Sequence, residues 1–356
     1  MPRNGRRLVF VAPGQRLQTW TVDVPDPAPG EVLLRTVIAG VCGTDAHRLD
    51  GDLPLAPGPI GFGHEGIGRI EAVGEGVSTD KAGVPVAIGD LVYWTPSGDR
   101  PDAPPTTGWP PPAEAPSPAS YQDYANLPAS NAFFRIPEDT SPEAVIAFGC
   151  AMPTALGGLT RLGGIQAGQT VVIQGCGPVG LASTFLAAVS PARQVIVIGA
   201  PDNRLEAATR LGATTTIALE ATTPAERLAL IRDLTQGAGA DVVIEATGRT
   251  EAFGEGTDLL AASGRYLILG IYSGHAPVAL DVVRLNNLSQ AIVGSMGPAS
   301  FNDHRTTVHF AQRYGTKLGF GDLVTHRFGL SETEQAIACA RSGQAIKAIV
   351  LPELDG

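Results

Sequence analysis

From Thr154 onward, short β-branched runs alternate with Ala- and Leu-rich stretches of helical character, and this alternation leaves few folds open. The runs are Thr170–Gln174, Val195–Ile198, Thr215–Ala218, Asp241–Glu245, Arg265–Leu269 and Ala291–Val293. Between them lie Val179–Val189, Asn203–Leu211, Ala225–Thr235 and Glu251–Ala262. Strand and helix in repeated alternation predict a parallel sheet covered by helices on both faces. Six such strands suit a doubly wound dinucleotide-binding sheet.

The first strand runs directly into Gly175-Cys176-Gly177-Pro178-Val179-Gly180, a G-x-G-x-x-G turn that opens an apolar helix. With 44 glycines in the chain the motif alone is weak, but strand before and helix after is the context that gives it meaning. Gly175 suits the tight turn, Gly177 the approach of a pyrophosphate to bare backbone, and Gly180 the close packing of helix on strand. The helix opens at Pro178 and Val179, and the free N–H groups of its first turn, from Val179 on, then favour phosphate. An acid at the end of the second strand would bind the ribose 2′-hydroxyl and select NAD. That position is Gly199, with Asp202 displaced and Arg204 available to a ribose or a 2′-phosphate, so the choice between NAD and NADP stays open.

Residues 1 to about 150 read as β-rich, with strand candidates at Glu31–Ile38 and Ile67–Val73 and a turn entering a strand over Ala87–Trp94. Residues 96–120 are rich in Pro, Ala, Thr and Ser and predict a long surface loop, with Trp109 pinning it to the body. The formal charge of −10 and the absence of a basic run exclude nucleic acid and an anionic membrane as main partners. No secretory signal and no apolar span long enough for a bilayer is evident. The four scattered cysteines do not form a disulfide framework; reduced thiols in a cytoplasmic protein fit them better.

Cys42 and His64 lie in the β-rich region and Cys150 at its end. Two thiolates and an imidazole are a donor set suited to Zn²⁺, and three protein ligands leave the fourth tetrahedral position open, as catalysis requires. Each residue taken singly is more often structural than a metal ligand.

The motifs C-G-T-D-x-H at 42–47, G-H-E-G-x-G at 63–68 and G-C-G-P-V-G at 175–180, with Glu245-Ala246-Thr247-Gly248 and the closing 342–347, occur in one order. In these the chain resembles the zinc-dependent medium-chain dehydrogenase/reductase family of the alcohol dehydrogenase type, over nearly its whole length. The resemblance implies an α/β protein with a GroES-like β-rich catalytic domain (residues 1–153 and 297–356) and a Rossmann domain (154–296). It implies catalytic zinc on Cys42, His64 and Cys150, with Glu65 as a conditional ligand or an acid beside the metal. Thr44 is then the hydroxyl that bonds the substrate oxygen, His47 the histidine that hands the proton to solvent, and Asp45 the carboxylate that orients His64. Lys347 falls against the pyrophosphate, and Thr247 and Ile271 near the nicotinamide. Leu53, Trp94, Thr95, Tyr121 and Met296 fall by position in the substrate pocket.

The implied reaction is NAD- or NADP-linked interconversion of a small alcohol with its aldehyde or ketone: zinc polarises the alcohol oxygen and hydride passes to nicotinamide. A homodimer or homotetramer is the family's habit. One departure is large. Many members hold a second, structural zinc on four closely spaced cysteines after the G-D-x-V turn; here Tyr93–Ser120 contains no cysteine, so one zinc per chain is expected. Three rivals share the fold: a zinc-independent enone reductase, a nucleotide-binding protein without turnover, and a non-redox enzyme that uses the same groups.

Overall fold

The computed structural model describes residues 3–53, 58–98, 115–272 and 277–355. The chain divides into two compact units, Met1–Cys150 with Ser300–Gly356, and Ala151–Ala299. The junctions fall at Cys150/Ala151 and Ala299/Ser300 rather than at 153/154 and 296/297. The helix Ala151–Leu162 begins directly after Cys150, so the cysteine stays with the β-rich unit.

In the unit Ala151–Ala299, six parallel strands lie in the order Thr215–Ala218, Gln194–Gly199, Thr170–Gln174, Ala240–Glu245, Leu260–Ile268 and Ala291–Gly294. The order reverses between Thr170–Gln174 and Ala240–Glu245, and such a switch point opens a crevice at the carboxyl ends of the strands. The central strands are buried on both faces, which explains their unbroken β-branched character: Val171, Val172, Ile173, Val242, Val243 and Ile244 are all 0% exposed. One expectation fails. The sequence predicts a single helix over Glu251–Ala262, but the helix ends at Leu259 and Leu260–Ile268 is strand. Leu260 pairs with Ala240, and the register then shifts before Val242 meets Arg265. Apolar Leu260 and Ala261 serve a buried strand as well as a helix face, so composition there does not separate the two.

In the other unit, Gln18–Val24, Arg3–Phe10 and Ile60–Gly61 form a small antiparallel sheet. The larger sheet runs Val324–Phe328, Lys347–Val350, Val32–Gly40, Gly66–Val73, Leu91–Gly98 and Asn131–Arg135, with Tyr124–Leu127 also paired to Val32–Gly40. Strands from both ends of the chain therefore meet in one sheet. Ile349 pairs with Gly40, and Val41 N–H donates to the Ala348 carbonyl at 3.1 Å, so the residues just before Cys42 are fixed to those just after Lys347.

The expected surface loop over 96–120 is corrected at both ends, while Trp109 lies outside the described residues. The strand Leu91–Gly98 runs through Pro96, and Gly98 pairs with Asn131. At the far end Ser117, Ala119 and Ser120 are 0% exposed. Their backbone satisfies buried side chains instead of water: Gln122 Nε2 donates to the Ser117 and Ala119 carbonyls at 2.8 and 2.7 Å, and Trp94 Nε1 donates to the Pro118 carbonyl at 2.8 Å.

The helix Phe301–Leu318 buries His304, which is 4% exposed. Tyr93 gives its one hydroxyl proton to the Gly149 carbonyl at 2.9 Å, leaving its oxygen to accept from His304 Nδ1 at 3.0 Å. Burial pulls His304 down to about 4. The unfolded chain then binds a proton, between pH about 6.5 and 4, that the folded one refuses. Stability from this group is complete above that window and falls by up to about 3 kcal/mol as pH drops through it. The urea midpoint of His304→Leu should accordingly change less between pH 7 and 4 than that of the wild type; equal changes would mean that His304 carries no such penalty.

Candidate metal and dinucleotide sites

Cys42 caps the helix Gly43–Asp50. Asp45, three residues on, turns back so that its Oδ2 accepts the Cys42 backbone N–H at 3.0 Å, which is why an acid at this spacing belongs at a helix start. Its Oδ1 faces His64 Nδ1 at 2.9 Å, and Oδ2 also accepts from the Tyr121 hydroxyl at 2.8 Å. Asp45 is 0% exposed, so its charge is held by these three partners and not by water. With Nδ1 committed to Asp45, Nε2 is the His64 nitrogen left to face a metal.

Cys42, His64, Glu65 and Cys150 each offer a ligand atom, and those atoms lie within 4.8 Å of one another. The two sulfurs are 3.4 Å apart. Ligands at zinc's usual bond lengths stand about 3.3–3.8 Å from one another in a tetrahedron, so the spacing suits that ion. The Oε1 oxygen of Glu65 is buried with no hydrogen-bond partner, a costly state that a cation removes. Cys42, His64 and Cys150 are partly exposed, whereas Glu65 is 1% exposed. The set thus has an open side and a closed side, with Glu65 on the closed one.

Gly40 and Gly149 make room for that carboxylate, since a Cβ at either would overlap Glu65 Oε2. The same oxygen is ion-paired with Lys347, itself 2% exposed. Burial works against the Lys347 ammonium, but Glu65 and the two cysteine sulfurs outweigh it and hold the group above its usual value. The protein partner of Lys347, expected beside a pyrophosphate, is therefore Glu65. A hydrogen bond from Cys150 pulls the Cys42 thiol far down against burial, with His64 assisting. Cys150, as donor in that bond and buried beside the resulting charge, is pushed up. Burial opposes the His64 imidazolium, yet Asp45 and Cys42 raise it to about 10. Without a metal, the cluster keeps protons where a cation would stand, so metal loading releases them.

Thr44 and His47 lie on the first turns of the Cys42 helix, three residues apart and thus on one face. Thr44 Oγ1 is 3.5 Å from Cys42 Sγ, and half-exposed His47 places Nδ1 3.1 Å from Asp52. Two residues placed by position in a substrate pocket do not fit that role. Trp94 and Tyr121 are 0% exposed and have no surface to offer: Trp94 packs on Gly66, and Tyr121 serves Asp45.

In the other unit, Gly175 takes φ +104° in the turn after the first strand, where a Cβ would meet Thr247. A Cβ on Gly180 would overlap the Gly175 carbonyl, whereas nothing stands within 4 Å of the Cβ position of Gly177. The helix Pro178–Val189 starts there with no acid in its first turn. Buried Glu245 accepts the Gly248 N–H at 2.8 Å and is bonded by the Thr247 backbone and hydroxyl, and Gly248 packs on the backbone of Ile271. Gly175, Thr247 and Ile271 thus gather at the switch point of the sheet. Arg204 lies in the helix Asp202–Arg210, beyond the end of the neighbouring strand. The supporting roles of Tyr121, Tyr93 with His304, and the partner of Lys347 were not read from sequence; each joins residues far apart in the chain, and no local pattern marks them.

Two family models match the chain: an alcohol dehydrogenase GroES-like domain over residues 28–138 and a zinc-binding dehydrogenase domain over residues 178–313. The 5-exo-hydroxycamphor dehydrogenase of Pseudomonas putida is 40% identical, with 97% of this chain and 98% of that protein aligned. An alcohol dehydrogenase from Thermotoga maritima superposes with a TM-score of 0.88 at 29% identity, covering 98% of this chain and 99% of the other. A Sinorhizobium meliloti protein described as a zinc-binding dehydrogenase, solved with NADP, shares the fold with a TM-score of 0.81 at 23% identity and covers 98% of this chain and 100% of its own.

Removal of the Asp45 carboxylate tests the support of the metal set. Asp45→Asn should weaken zinc binding about 10- to 100-fold, the usual cost of losing such a partner. Chelator competition measures it, and wild-type affinity in the variant would deny Asp45 this role.

Proposed function

Because the chain belongs to the zinc-containing medium-chain dehydrogenase/reductase family, we propose that it oxidises a secondary alcohol on a bulky apolar ring skeleton, using one zinc per chain held by Cys42, His64 and Cys150. It is an oxidoreductase of CH–OH donors that uses zinc and NAD(P). The ring-bearing alcohol is proposed from the relative at 40% identity, which is named for a hydroxycamphor. The single zinc is proposed from the cysteine inventory: beside the clustered pair, only Cys176 and Cys339 remain, and both are buried elsewhere.

The observation that carries the reading is the gathering of four ligand atoms within 4.8 Å, three of them on partly exposed residues. When bound, zinc supplies the positive charge that acidifies an alcohol, and nicotinamide supplies the hydride acceptor. The chain's own residues do the rest. Asp45 fixes the His64 ring, and the Cys42 helix fixes Thr44 beside the sulfur. Thr44 accepts a hydrogen bond from the substrate hydroxyl and, as that proton arrives, releases its own toward His47, one helical turn on and half-exposed, which hands a proton to water. Lys347 holds one oxygen of Glu65, which keeps that carboxylate on the closed side and leaves the open side to substrate.

Purified protein should contain about one zinc per chain. Cys42→Ala and Cys150→Ala should lose both metal and turnover, while Cys339→Ala keeps both. Two zinc ions per chain, or full activity after metal is stripped, would overturn the reading. His47→Ala should slow oxidation at least about tenfold and flatten its pH profile; an unaltered profile would remove His47 from the proton path.

A further inference from the structure

The strand Gln194–Gly199 ends where a dinucleotide's adenosine ribose is read, and the residue there is a glycine with a neighbour pressed against it. A Cβ on Gly199 would overlap the Cys176 sulfur and would stand only 3.0 Å from the Cys176 Cβ and 3.3 Å from its backbone nitrogen. Cys176, the second residue of the glycine turn, is 2% exposed, and its thiol donates to the Ala200 carbonyl at 3.2 Å. The turn is also tied to the same strand end through Gly175 N–H and the Ile198 carbonyl at 2.8 Å. Neither side of this contact is free to swing away. Burial pushes the Cys176 thiol up, and the Arg204 guanidinium is near enough to pull partly against it.

We infer that Cys176 and Gly199 together exclude the carboxylate that would select NAD, and that with Arg204 on the helix that follows the strand they make this chain bind NADP in preference to NAD. A carboxylate at 199 would hydrogen-bond the two ribose hydroxyls of NAD and repel a 2′-phosphate. Its absence removes both effects, and a guanidinium in the first turn of the next helix is of the kind whose forked N–H donors suit phosphate oxygens. Asp202, in the first turn of the next helix, is exposed and three residues beyond the strand end, so its charge stays with solvent. Cys176 thereby acts as a specificity residue through the side chain it forbids at a neighbouring strand. The inference rests on the dehydrogenase reading and adds the choice of cofactor to it.

Direct titration of the purified protein with NADP⁺ and with NAD⁺, followed by calorimetry, tests it without reliance on turnover. The wild type should bind NADP⁺ at least about tenfold more tightly, the scale of one charge-assisted hydrogen bond. Arg204→Leu should lose that advantage, its NADP⁺ affinity falling more than its NAD⁺ affinity. Gly199→Asp alone should weaken both cofactors, because the sulfur blocks the new side chain. Gly199→Asp combined with Cys176→Ala should bind NAD⁺ in preference to NADP⁺. A wild type that prefers NAD⁺ overturns the inference and leaves the dehydrogenase reading intact, whereas binding of neither cofactor overturns that reading too. A full switch to NAD⁺ by Gly199→Asp alone would show that Cys176 has no part in the choice.

Discussion

The hydrogen bonds converging on Asp45 are what the metal set depends on. One buried carboxylate closes the start of the Cys42 helix, receives the Tyr121 hydroxyl and sets the ring of His64. It ties together a helix start, a loop residue and the His64 imidazole, which are separate in sequence. Cys42, a proposed ligand, and Asp45 belong to a single helical turn, so the geometry of the turn and the geometry of the candidate metal set are one constraint. Glu65 stands on the other side, in a slot that Gly40 and Gly149 leave open, with Lys347 neutralising it. A buried carboxylate without that cation would cost several kcal/mol.

This arrangement explains why strands from both ends of the chain share a sheet. The Val32–Gly40 strand leads into Cys42 and pairs with the strand that begins at Lys347. Both the ligand turn and the cation that balances Glu65 are thereby fixed to a rigid element. The dinucleotide turn is built on the same logic in its own unit: Gly175, Cys176 and Gly180 are packed against neighbouring backbone, while Gly177 faces open space.

Much of this is legible in the sequence, and for physical reasons. The central strands of the parallel sheet are buried on both faces, so they read as unbroken β-branched runs. The glycine turn reads because Gly175 takes a positive φ and Gly180 has no room for a Cβ. Three features do not read. Leu260 and Ala261 fit a buried strand and a helix face equally, which hid the end of the helix Thr250–Leu259. Residues 115–120 look like loop by composition, yet they are buried because Gln122 and Trp94 satisfy their carbonyls. The Lys347–Glu65 pair spans nearly the whole chain, and only the fold brings its two charges together.

X-ray absorption at the zinc edge of the purified holoprotein probes the donor set itself. The account predicts two sulfur neighbours at about 2.3 Å and one imidazole nitrogen at about 2.0 Å, with a single light atom completing the shell. A shell of four sulfurs, or one of nitrogen and oxygen alone, would contradict it.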